Sequence, residues 1–179
     1  RELSIKQLAQ IRKNVPDIEL EVFVHGAQCV SLSGRCLLSD YMTHGERKAN
    51  HGGCSQPCRW KYKLLEETRP GEYYEIEETS RGTHILSTKD LALINYIPKL
   101  IEAGADSFKI EGRMKKPEYA AGVTAVYRKY IDKYYEKPGE KLSISGEDLH
   151  RLSCLYIRSE RQNGYYHKHN GKEMLTLNN

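Results

Sequence analysis

The sequence predicts an α/β fold, and three observations carry that expectation. Helical and strand periods alternate along most of the chain; one long stretch interrupts them without any period; and the pattern begins on a helix. Alternation with short loops argues for a parallel sheet with helices packed outside it. A closed (β/α)8 barrel takes about 250 residues and eight strands. Only three such strands are readable here. The chain therefore reads either as a small open α/β domain or as the later part of a (β/α) barrel. Residues 1–136 would form that part, with an insertion over 26–83 and a C-terminal appendage over 137–179.

Each element has its own signal. Ser4 and Gln7 make a capping-box pattern, and Leu3, Leu8 and Ile11 share a face, which predicts a helix over 4–14. Pro16 breaks it, and "IELEVFV" then alternates as a strand. From 26 to 83 Gly, Cys, Pro and charged residues dominate, so short strands at most are expected, for example near Tyr73 to Ile76. "THILST" predicts a second strand, and "KDLALINYIPKLIEAG" a helix with Leu91, Ile94, Ile97, Leu100 and Ile101 on one side. Pro98 should kink or split that helix, and Gly104 should close it in a left-handed conformation. "DSFKIEG" is the third strand. Pro117 then starts a helix to about Tyr135, whose stripe is Tyr119, Val123, Val126, Tyr127, Tyr130 and Tyr134. In the appendage, "GEDLHRL" predicts a weak helix and "SERQNGYYHKHNG" a hairpin.

Composition narrows the class. With 39% hydrophobic and 29% charged residues, the chain is in the range of a soluble globular domain. Its longest apolar runs are far shorter than the roughly 20 residues a bilayer requires. No basic-then-apolar leader opens it, so a cytoplasmic location and no membrane partner are expected. A net charge of +4 is too mild to argue for nucleic acid by itself. The cations are clustered, however: Arg47, Lys48, Arg59, Lys61 and Lys63 surround two cysteines, and "KIEGRMKK" supplies Lys109, Arg113, Lys115 and Lys116. Tyrosine, at 13 against 2 Phe, suits a wet interface or cleft.

Four of the five cysteines, Cys29, Cys36, Cys54 and Cys58, fall within thirty residues of the insertion. Disulfides are disfavoured in a cytosolic chain. Structural zinc prefers two to four residues between paired ligands, which only Cys54 and Cys58 meet; His44 and His51 lie nearby. Four thiolates on an iron–sulfur cluster tolerate the wider gaps, and Arg35, Arg59 and Lys61 would offset their charge. Both metals stay open on spacing. Cys154, beside Leu152 and Leu155, reads as a buried apolar residue.

At these residues the chain resembles the collagenase-like peptidase family U32. The matching motif is "EVFVHGAQCVSLSGRCLLS", with Glu21, Phe23, Gly26, Cys29, Gly34, Cys36, Leu38 and Ser39 in place. "GGCSQPCRWKY" and "SFKIEGRMKKPEYAAGVTAVYRKYID" match later family motifs in order. The likeness covers roughly residues 1 to 135, and "VFVHGA", "GRCLLSDYM" and "CRWKY" are most similar to the members that make 5-hydroxyuridine at the tRNA wobble position. It implies an incomplete TIM-like barrel, oxygen-independent hydroxylation, and a 4Fe–4S cluster on Cys29, Cys36, Cys54 and Cys58. It also implies prephenate as oxygen donor and tRNA as partner, with a paralogous subunit or the missing N-terminal barrel half completing the barrel.

Strand ends nominate further residues, because barrel chemistry sits past the C-terminal ends of strands. His25 could move protons near neutral pH or bond the insertion backbone. Glu111 could act as acid or base and Arg113 could hold an anion, or the two could pair. Ser87 and Asp90 read as helix caps, and Lys89 in the same first turn as an anion-binding candidate. Arg59 and Trp60 could contact RNA, the indole stacking on a base or packing over the cluster. Two other functions compete. A collagenase-like peptidase needs an activated nucleophile or metal-bound water, yet neither His-Glu-x-x-His nor Gly-x-Ser-x-Gly is present. A zinc-stabilised RNA-binding module would use the same thiols without redox chemistry.

Overall fold

The structure, a computed structural model, describes residues 1–33, 35–60, 62, 64–65, 67–71, 73–74, 88–112, 115–155 and 161–167. They divide into two units, one from Arg1–Gln28 with Lys89–Met174 and one from Cys29–Thr88.

In the first unit, helix α1 (Ile5–Asn14) starts where Ser4 Oγ accepts from the Gln7 amide and Gln7 Oε1 accepts from the Ser4 amide, the expected capping box. Strand β1 (Glu21–Ala27) follows and runs three residues past the expected end, through His25 and Gly26.

The short α2 (Leu38–Met42) lies in the second unit, with single 3-10 turns at Ala49–His51 and Pro57–Arg59. Strands β2 (Leu64–Leu65) and β3 (Tyr73–Tyr74) pair antiparallel, as the expectation of short strands near Tyr73 anticipated. Of the predicted strand 83–88, all but Thr88 lies outside the described residues.

The next segment departs from its predicted helix. Asp90–Ala92 is a strand, β4, antiparallel to β1 with His25 opposite Ala92 and Ala27 opposite Asp90. Leu91, Ala92, Leu93 and Ile94 are buried in succession, a run whose period does not distinguish strand from helix. The ladder with β1 decides it. Lys89 and Asp90 therefore occupy no first helical turn, so the reading of Asp90 as a helix cap fails, while Ser87 lies outside the described residues. Helix α3 (Ile97–Glu102) begins only after a 3-10 turn, which puts Pro98 in its first turn, where a missing N–H costs nothing; no kink results. Gly104, at φ +92°, ends it as expected. Both Nε and Nη2 of Arg12 donate to the Gly104 carbonyl, at 3.1 and 2.8 Å, tying α1 to this corner.

Strand β5 (Ser107–Ile110) lies parallel to β1, and α4 (Pro117–Glu136) buries Tyr119, Val123, Val126, Tyr127 and Tyr130 of the expected stripe, leaving Tyr134 partly exposed. Helix α5 (Gly146–Leu155) packs on α4, where the buried Asp148 carboxylate accepts from Lys129 Nζ, Tyr130 Oη and Ser145 Oγ at 2.6 to 2.8 Å. Strand β6 (Arg161–Gln162) joins β4 in parallel. No hairpin forms among the described residues of "SERQNGYYHKHNG", because Arg161 and Gln162 pair with β4 instead. The sheet order is β5-β1-β4-β6, mixed rather than all-parallel.

Candidate functional site

His25 sits near the C-terminal end of β1 and is 4% exposed. Its Nδ1 lies 3.2 Å from the Tyr127 hydroxyl, and the two rings meet edge-on at 5.4 Å. Burial first, and the Arg161 guanidinium second, push its pKa down to about 4. The imidazole is therefore neutral at physiological pH. The near-neutral proton transfer expected of a solvated histidine is lost to that burial.

The end of β5 is fixed beside it, since the Glu111 amide donates to the His25 carbonyl at 2.9 Å. Gly26, at φ +113°, makes this approach sterically possible: a Cβ there would stand 2.7 Å from the Glu111 carbonyl oxygen. His25 and Glu111 are thus brought together through backbone. Arg113 lies outside the described residues. Lys89, just before β4, offers its carbonyl to Gln162 Nε2 at 3.3 Å.

Within the second unit all four insertion cysteines are free thiols of intermediate burial. Cys36 precedes α2 and Cys58 occupies the turn Pro57–Arg59; a serine clamp joins these stretches. The fully buried Ser39 on α2 accepts from the Ser55 amide at 2.9 Å, and the two hydroxyls meet at 3.0 Å. The Gln56 amide donates to Cys54 Sγ at 3.3 Å, the kind of backbone bond that tunes sulfur ligands. Tyr62 Oη donates to the Pro57 carbonyl at 2.6 Å. Burial pushes the Cys58 thiol up; Arg59 opposes this, while Cys29, Cys54 and Cys36 add to it. Thiolates are the ligands that zinc and iron–sulfur clusters take, so four free thiols in one unit are a donor set of the right chemistry for either. Among the described residues no three His, Cys, Asp or Glu side chains converge closely enough to hold a metal ion.

Arg59 Nη1 bonds Gln56 Oε1 at 2.6 Å, and Trp60 keeps 40% of its surface exposed. Cys154 is exposed rather than buried and meets His150 Nε2 at 3.3 Å, because it faces away from the stripe that buries Leu152. Sequence reasoning missed Tyr127 as the partner of His25, having placed it only in the core stripe. Ser39 appeared in the family motif, but its link to Ser55 had no signal.

The sequence model of peptidase family U32 matches residues 1–176. The chain belongs to this family. Among curated U32-like relatives, an uncharacterized protease of Methanocaldococcus jannaschii is 48% identical over 76% of this chain and 34% of its own length. A tRNA hydroxylation protein of Bacillus subtilis is 46% identical over 85% of this chain and 35% of its own. The 23S rRNA 5-hydroxycytidine synthase of Escherichia coli is 40% identical over 78% and 20%. The chain thus spans from about a fifth to about half of the length of the curated relatives it matches. No solved structure matches it.

Proposed function

We propose that this chain is the cluster-bearing part of a U32 enzyme that hydroxylates RNA, converting the tRNA wobble uridine to 5-hydroxyuridine without molecular oxygen. The observation that carries the reading is that Cys29, Cys36, Cys54 and Cys58 are all free thiols and all fall within one unit of the chain. Proteolysis has no use for four such thiols. These residues would hold a 4Fe–4S cluster, and the cluster would supply one-electron chemistry and brace the unit. Prephenate is the proposed oxygen donor.

The chain's own residues do the rest. Trp60 and Tyr41, 40% and 78% exposed, offer faces for unstacked bases, and exposed Arg47 and Lys48 offer charge to phosphates. His25 and Glu111 hold the polar end of β1 and β5, with Arg113 as an anion-binding group. The parallel pair of β1 and β5 is the part of the sheet that a TIM-like barrel, completed by further strands or a paralogous subunit, would use. No helix among the described residues is long and apolar enough to cross a membrane.

The test is metal and product together. Protein purified without oxygen should contain iron and acid-labile sulfide, about four of each per chain, and lose both in Cys54→Ala. Nucleoside mass spectrometry of tRNA should show 5-hydroxyuridine with the wild type only. One zinc and no sulfide would replace this reading with a zinc-stabilised RNA-binding module; peptide cleavage by the metal-free protein would restore the protease.

A further inference from the structure

The protons around His25 can be assigned from heavy-atom positions. Tyr127 Oη lies 3.0 Å from the Val24 carbonyl oxygen and 3.2 Å from His25 Nδ1. Two oxygens approach to 3.0 Å favourably only with a hydrogen between them. A carbonyl carries none, so the single hydroxyl proton of Tyr127 points to Val24. The same carbonyl also accepts the Leu93 amide at 2.9 Å, which fills its second lone pair and fixes it in place. The remaining contact, between Oη and Nδ1, then needs its proton from the ring. His25 is Nδ1–H. Burial keeps the imidazole neutral, so Nε2 carries a bare lone pair, and no described residue hydrogen-bonds it.

We propose that Tyr127 is a positioning residue: clamped by Val24, it holds His25 in the Nδ1–H tautomer and presents Nε2 as an acceptor near the end of β1, for an N–H or O–H donor on the substrate. The use of that acceptor rests on the function proposed above; the tautomer does not. Other groups facing the ring are Tyr119, with centroids 6.3 Å apart, and Arg161. Neither competes for Nδ1. A purely packing role for Tyr127 would leave the tautomer to chance.

Two-bond 1H–15N correlation spectra of the histidine rings, recorded at neutral pH without RNA, test the assignment. For His25 the expected pattern is a protonated Nδ1 and a pyridine-type Nε2. A protonated Nε2 in the wild type overturns the proposal, and this measurement needs no variant that might fail to fold. Tyr127→Phe, which keeps the ring, should redistribute His25 towards the Nε2–H form. It should also lower kcat for hydroxylation by about tenfold or more with KM for tRNA unchanged. An unaltered tautomer in a folded Tyr127→Phe protein, or a shifted tautomer with unaltered kcat, also overturns it. Failure of the hydroxylase reading shows separately, as wild-type protein that forms no hydroxylated nucleoside.

Discussion

The two units of this chain are stabilised by different physics. Around β1 the first unit buries a continuous core from Leu8, Val24 and Leu91 through Tyr127, Tyr130 and Leu152, all at most 8% exposed. Its site residue His25 stands inside that core with its Nδ1 bond made. The second unit has no comparable core among its described residues. Ser39, Pro57 and Thr88 are its buried ones, and its order rests on single turns, the Ser39–Ser55 clamp and bonds such as Tyr62 to Pro57. Its described residues bury little apolar surface, and small regions of that kind ordinarily carry a staple, either disulfides or a metal. Under the function proposed above, the contrast says where a cluster's structural contribution would be felt: one region stands by packing, and the other would be braced by what its thiols hold.

Removing the cluster should break that contrast most severely. Chelation, or Cys58→Ala, is expected to abolish amide protection across residues 29–60, while β1, β5 and α4 keep theirs. Hydrogen exchange followed by mass spectrometry reads both regions at once. Equal protection of 29–60 with and without metal would show that the serine clamp and turns suffice alone.

The packed unit should fail at a different point. Gly26→Ala puts a Cβ against the Glu111 carbonyl, 2.7 Å away, in a backbone conformation that L side chains rarely adopt. Backbone cannot step aside as a flexible side chain can, so the expected loss is about 4 kcal/mol in the first unit. Denaturant titration, with exchange of β1 amides as the readout, measures it. A loss near zero would mean that the ends of β1 and β5 are not held as close as the structure has them.

How much of this was legible beforehand follows the same divide. Where local chemistry and tertiary packing agree, the sequence reading succeeded: Ser4 with Gln7 starts α1, Gly104 ends α3, and the tyrosine stripe of α4 is buried. Asp90–Ala92 was misread because four consecutive buried apolar residues carry no period, and only pairing with His25–Ala27 decides their state. Cys154 was misplaced because two positions, about 200° of helical turn, put it on the face opposite the buried Leu152. The four insertion cysteines stood out by residue type alone. Their companions Ser39 and Ser55, sixteen positions apart, did not, since a hydroxyl pair of that separation has no signature before the chain folds.

The smallest expected effect concerns pH and isolates His25 from the thiols. In the unfolded chain the ring titrates near 6.5, and in the folded unit at about 4. Between those values the unfolded state binds the extra proton, so stability is complete above pH 6.5 and declines as pH falls towards 4. The full loss is roughly 3 kcal/mol. The Asp148 carboxyl is also held low, by Lys129, Tyr130 and Ser145, but its support is lost only as pH falls below the ordinary carboxylate range. The two windows therefore separate. Stability of the first unit measured from pH 7 to 4.5 should slope downward in the wild type and run flat over that range in His25→Gln. A slope that survives the substitution would move the buried proton acceptor to another residue and remove the basis for a neutral His25.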